Sequence, residues 1–439
     1  MSNIANTLLL LSAPGLPLLL AIPALRRYVP CPAHLALLPT IVLLFLPGSF
    51  SVGLPWILWG SAGMGIDTGS RWWLTISVVI WTASATFLHT PERRGAGNRL
   101  TTLFLLTLVG QVGAILAMDM VSFFTFMTLM GYAFIGLLID GSDEKTCRAG
   151  RIYLVLLILA DIALFEALLI AATSTDDLGF EAVAHAIALS SSSALYLSMV
   201  IAGFALKAGF WPLHVWLPPA YGSARPAVAL LLWVVPVGTG LFGAVRWLPL
   251  GELTAPVAGM LLQAFGAAGI FYALLFVVMR AQWKQLPAYT AIIAVSIFIM
   301  GLGTGLLDPA VWNQYGHLVP VFVAAVGLVL AVMIAAFVWL EKRGIFPSES
   351  GRENREAVWL ERCAKAIIRL GRRTGGDTLP ELRASWFARW DSFRQACTWQ
   401  QLFDAGEYFL QRWEFAITLF LLLGMVSVAL LWLDATSVL

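Results

Sequence analysis

The chain is expected to fold as an all-α, polytopic transmembrane bundle of about twelve spans. Three observations predict this. Of 439 residues, 59% are hydrophobic and 12% are charged, whereas soluble domains carry about 25% charged residues. Apolar stretches of about 20 residues recur along the chain, the length a helix needs to cross hydrocarbon. The alternation of a β-barrel strand is absent. In lipid every backbone polar group must be satisfied internally, which leaves a bundle of helices.

The apolar runs place spans at roughly 7–25, 35–58, 70–89, 100–117, 120–139, 151–172, 194–217, 226–245, 255–279, 288–306, 317–340 and 414–434. The first follows no basic region, so it reads as a retained span rather than a cleaved signal peptide. Pro47, Gly48 and Gly53 interrupt the second. Residues 341–413 differ from the rest, holding 13 of the 27 Lys and Arg residues. The chain therefore divides into a bundle over 1–340, a polar insertion over 341–413 and a last span within 414–439.

Loop charge predicts orientation through the positive-inside rule. With each loop numbered by the span it follows, odd loops carry Arg26, Arg27, Arg93, Arg94, Arg99, Lys145, Arg148, Arg151, Arg225, Arg280 and Lys284. Even loops carry only Arg71 and Arg246. A missed span would scramble that phase. Odd loops and the insertion are thus expected to be cytoplasmic, at the cell inner membrane, with both termini on the opposite side. Within the insertion, Val358, Ile367 and Leu370 share a helical face opposite basic residues, and Trp386, Phe387, Trp390, Phe393, Trp399 and Phe403 recur at helical spacing. Such a segment suits the membrane interface or the docking of a soluble partner, and both readings stay open.

Four cysteines, Cys31, Cys147, Cys363 and Cys397, are scattered without C-x-x-C pairing, so neither an iron–sulfur centre nor a disulfide framework is indicated. The sequence holds no phosphate loop, nucleotide fingerprint, metal cluster or catalytic triad. No cofactor, catalytic centre or nucleic-acid partner is expected.

Span seven runs into FALKAGFWPLHVWLPPAY (204–221), with Lys207 inside the span and Pro212 five residues later. Proline removes a backbone donor and breaks the helical ladder. A helix broken at membrane depth survives only where protein or a cavity surrounds it. A charge there is expensive unless paired, so an intramembrane lysine marks function by default. The bland alternative is a lysine that snorkels to a boundary or is locked in a structural ion pair.

FALKAGFWPLHVWLP resembles the signature of the antiporter-like subunits of respiratory complex I. The same family includes subunits of Mrp cation/proton antiporters and the large membrane subunits of energy-converting hydrogenases and formate hydrogenlyase. Residues 100–132 look like that family's fourth and fifth spans, and 279–303 like its ninth-to-tenth connection, opening on Ala288 and Tyr289. The resemblance covers roughly residues 60–305. It implies inverted repeats, a broken span seven and buried ionisable groups across the midplane. Lys207 matches the span-seven lysine, and His214 the histidine after the proline, although Pro219 stands where an aspartate is usual. By register the span-five glutamate falls at Thr128 and the span-eight lysine at Gly238, so both charges are lost. The second repeat looks reduced: span eleven offers His317 near its start but no interior lysine, and nothing resembles the family's broken span twelve.

Asp161 and Glu166 lie inside span six, five residues apart and so separated by about 140° around the helix. Either could replace the missing acid as partner of Lys207, Asp161 being favoured, or cap a polar contact to a neighbouring subunit. Asp119 and Asp140 bracket span five and read as interfacial; Trp211 and Trp216 read as packing anchors. The expected function is a proton- or Na⁺-translocating subunit acting with other membrane subunits and a cytoplasmic soluble subunit, the candidate residues being Lys207, His214, Asp161, Glu166 and His317. Two rival expectations are a non-conducting platform that docks a soluble partner through 341–413, and a membrane subunit of a proton-coupled inorganic-carbon uptake complex.

Overall fold

The computed structural model describes residues 2–53, 63–88, 97–139, 144–279 and 283–342. By internal contacts the chain divides into two units, 1–332 with 411–439, and 333–410. The elements described below belong to the first unit, apart from residues 333–342 at the end of the last helix, which belong to the second. The 341–413 insertion beyond Lys342, the last span at 414–434, Asp140, Cys363 and Cys397 lie outside the described residues.

The chain opens with α1 (Ser2–Ala21), α2 (Pro23–Arg26), α3 (Pro32–Leu35) and α4 (Leu38–Phe45), then a hairpin of β1 (Phe50–Gly53) and β2 (Gly63–Ile66). Next come α5 (Thr68–Leu88), α6 (Gly97–Leu116), α7 (Met120–Ile139), α8 (Glu144–Ser174) and the short α9 (Phe180–Ala188). The middle holds α10 (Ser193–Ala208), a 3₁₀ turn Leu213–Trp216, α11 (Leu217–Ser223), α12 (Pro226–Leu232), a π-helical turn Trp233–Gly238 and α13 (Thr239–Trp247). The described part closes with α14 (Pro256–Met279), α15 (Leu286–Leu307), α16 (Pro309–Tyr315) and α17 (Val319–Lys342).

Nine helical segments among the described residues are long and apolar enough to cross a membrane. The 21-residue α5 is long enough as well, but Thr, Ser and Arg71 dilute its hydropathy. The expected second span is corrected. Over 35–58 the apolar helix stops at Phe45 and residues 50–53 form a strand, paired antiparallel with Phe50 opposite Ile66. Pro47 and Gly48 follow the last turn, with Gly48 at φ 79°, and helix cannot continue through them.

The even loops meet at one end of the bundle. Asp119 is buried, and its two carboxylate oxygens accept from the amides of Gly63 and Ser122, each at 2.8 Å. The Ser122 bond caps the start of α7, and the Gly63 bond ties in the hairpin. Met118 N–H donates to the Gly63 carbonyl and Met120 N–H to that of Leu178. Arg71 donates to the carbonyls of Leu44, Leu46 and Gly48, capping the C-terminal end of α4. Arg246 pairs with Asp67 and lies over the rings of Phe180 and Phe242. Both even-loop arginines are therefore held by structural partners, which accounts for their departure from the charge pattern.

Asp67 also caps α5, accepting from Ser70 N–H at 2.7 Å. Burial works to raise its pKa, but the Arg246 charge and the Ser70 hydrogen bonds outweigh burial and hold the carboxyl below its usual value. A depressed pKa contributes stability that is present above the unfolded value of about 3.9 and is lost as pH falls through the folded one. Asp67→Asn should thus lower thermal stability at pH 7 by about 1 kcal/mol. Its melting temperature in detergent should converge on that of the unsubstituted protein as the pH is brought below about 4.

Candidate functional site

The break in span seven is built locally. α10 ends at Ala208, and Gly209 takes φ 70°, ψ 49°, its N–H donating to the Ala205 carbonyl. This left-handed cap favours glycine because a Cβ would crowd the backbone; a Cβ here would also lie 3.0 Å from Leu217 Cδ1. Pro212, with no N–H, precedes the 3₁₀ turn, and Pro218 and Pro219 start α11. Lys207 thereby falls in the last turn of α10, where the partial negative charge of unpaired carbonyls favours a cation.

Lys207 is buried, with its side chain 3% exposed. Its Nζ stands 2.7 Å from Asp161 Oδ1 on α8, an ionic contact that lacks hydrogen-bond angles. Tyr132 on α7 and Tyr153 on α8 lie within electrostatic reach of the same carboxylate, whose oxygens accept no hydrogen bond from a described residue. The Tyr153 ring packs 4.4 Å from that of Trp216. The pair thus sits where α7, α8 and the broken α10 meet.

His214 is fully buried in the 3₁₀ turn, its ring 4.5 Å from Tyr272 of α14 in a T-shaped contact. Tyr272 packs on Phe276, which stacks on Tyr289 at the start of α15. Both His214 nitrogens, the Tyr221 hydroxyl, the Trp216 indole N–H and the Ser296 hydroxyl are buried without a protein hydrogen-bond partner among the described residues. Such groups are ordinarily satisfied, so this cluster is suited to ordered water.

The remaining candidates lie apart from the pair. Glu166 points outward from α8 and is exposed. His317 is exposed in the 3₁₀ turn Gly316–Leu318 before α17. Thr128, where the resemblance expects an acid, is half-buried with its hydroxyl unpartnered. Gly238 ends the π-helical turn, and a Cβ there would lie 2.9 Å from the Trp233 carbonyl oxygen and 3.8 Å from the Trp73 ring. Sequence reasoning misses that turn, which contains Pro236. Its Val234 carbonyl accepts from the amide of Gln111, which also reaches Ser77 and accepts from Trp81. Sequence reasoning misses Gln111 too, although a glutamine amid apolar residues is a signal of buried polarity. It also misses Tyr132, which lies four residues, or one turn, after Thr128 and so on the same helix face.

A multi-pass bundle, a broken central helix and a buried lysine at the break together define an antiporter-like membrane subunit. The chain belongs to the family described as NADH:quinone oxidoreductase/Mrp antiporter, transmembrane, which it matches over residues 117–336. It is 27% identical to hydrogenase-4 component B of Escherichia coli, over 53% of this chain and 36% of that protein. It is 30% identical to a probable K⁺/H⁺ antiporter subunit of Rhizobium meliloti, over 48% of this chain and 41% of that protein. The chain spans less than half the length of these curated relatives. Its fold is similar to a chain of the Mrp complex from Dietzia (TM-score 0.63, 19% identity, 75% of this chain and 37% of that one). It is also similar to a chain of Thermus thermophilus respiratory complex I (TM-score 0.59, 22% identity, 75% of this chain and 71% of that one).

Gly209→Ala should cost about 1–2 kcal/mol of stability, because the left-handed cap penalises a Cβ. Thermal unfolding of the purified chain checks this.

Proposed function

We propose that this chain is a proton- or Na⁺-translocating subunit of a multi-subunit membrane complex, with the Lys207–Asp161 pair as its switching element. The observation that carries this reading is the 2.7 Å ion pair at the break of span seven. An ion pair in low dielectric is strongly stabilised by its partner, so separating the two leaves each charge uncompensated. When Asp161 moves away, the Lys207 ammonium loses its counter-charge and its proton passes toward the His214 side. When the lysine is neutral, Asp161 returns as it is reprotonated. The unpartnered polar groups from Lys207 to His214 and Tyr221 would carry that proton through bridging water. Driving chemistry, redox or other, belongs to partner subunits, as the names of several relatives suggest. In this reading the odd loops and 341–413 face the cytoplasm, and 341–413 meets a soluble subunit.

A second reading has its own observation. Among the described residues from Pro226 to Val319, Lys and Arg side chains are confined to helix ends and turns, Gly238 is packed under Trp233, and His317 is exposed. That favours a non-conducting platform whose ion pair is only structural. An inorganic-carbon uptake complex is a variant of the first reading with a different partner.

Breaking a buried pair by removing one member costs about 3–5 kcal/mol, so paired variants are needed. Lys207→Ala and Asp161→Asn should each cut ion flux of the reconstituted complex by about ten-fold or more. The double variant Lys207→Met with Asp161→Leu should restore assembly without restoring flux. Full flux from an assembled double variant would rule out the switching role and leave the platform reading.

A further inference from the structure

The outward face of α8 carries a charge that the ion pair does not use. Glu166 is exposed and forms no ion pair or hydrogen bond with any described residue. It is flanked by the exposed apolar side chains of Ile162, Phe165 and Leu169 within about one turn, and by Ile158 a turn further back, between 42% and 51% exposed. The apolar span Cys147–Ser174 is 28 residues long, or about 42 Å at 1.5 Å per residue. Hydrocarbon is about 30 Å thick. Glu166 lies eight residues, about 12 Å, from the end at Ser174. With the excess length shared between the two ends, its Cα sits about 6 Å inside the hydrocarbon. A carboxylate at that depth needs a partner.

Among the described residues of the spans, no cation of this chain is placed to meet it. Lys207 is buried in its own pair, and Arg148 and Arg151 lie at the opposite end of α8. We propose that this face of α8 docks a transmembrane helix of a different membrane subunit, which presents a lysine or arginine to Glu166. Asp161 lies at the edge of the same face, three residues after Ile158 and four before Phe165, and Tyr132 beside it is 43% exposed. The docked helix would thus also cover the open side of the Lys207–Asp161 pair. The proposal holds whether or not the chain conducts.

The test uses the whole complex in its native membrane. A photo-crosslinking benzoylphenylalanine placed at Ile162 should give an adduct on another subunit. Mass spectrometry should map it to a transmembrane segment with Lys or Arg within one turn of the attached residue. Adducts confined to lipid, to a second copy of this chain, or to a segment without a cation overturn the proposal. Separately, Glu166→Leu should lower co-purification of the cross-linked subunit by about ten-fold at an unchanged membrane level of this chain. Undiminished co-purification also overturns it. Flux is not the readout, so failure here stays distinct from failure of the transport reading.

Discussion

The structure is organised around the cost of one charge. A lysine ammonium in hydrocarbon has to be paired or exposed to water, and Lys207 is paired with Asp161 at 2.7 Å. That contact dictates the surroundings. α10 stops one residue after the lysine, at Ala208, and α8 has to pass close enough to deliver a carboxylate. The interrupted backbone from Gly209 to Trp216 then needs protein on every side, since lipid satisfies no amide. Tyr153, Trp216, Tyr272 and α14 supply that enclosure.

Other charges hold the bundle together. Asp119 gathers the hairpin and the start of α7, and backbone bonds from its neighbours add the turn before α9. The Asp67–Arg246 pair links the start of α5 to the end of α13. These contacts lie at the end where the even loops meet, while Arg26 at the other end bonds Thr102 near the start of α6. A membrane bundle gains little hydrophobic drive between its helices. Polar fastenings at the ends therefore take a larger share in fixing helix order.

The second half of the described chain follows a different logic. At Gly238, where the resemblance expects a lysine, the chain has a π-helical turn against Trp73 and Trp233. The freed Val234 carbonyl is answered by Gln111 rather than by a charge. Among the described residues the polarity at that turn is neutral rather than ionisable. Such π-turns are frequent at functional positions, and here one coincides with a lost charge.

Composition and span-length periodicity by themselves determined the class, since an apolar stretch of twenty residues has one stable form in lipid. Lys207 and Pro212 marked the break, because a charge and a missing backbone donor at membrane depth are both costly and easily seen. The motif over 204–218 placed the chain in its family. The second span is misjudged from sequence because hydropathy cannot tell a crossing helix from a short helix followed by a strand; Pro47 and Gly48 are the visible warning. Asp161 is the favoured partner already in the sequence, but both acids lie inside the span and the sequence alone gives no geometric ground for the choice. The tertiary structure supplies that ground. A helix rotates each residue by about 100°, and packing against α10 turned Asp161 inward and left Glu166 facing out. That choice depends on which neighbours surround α8, and a linear pattern does not carry it.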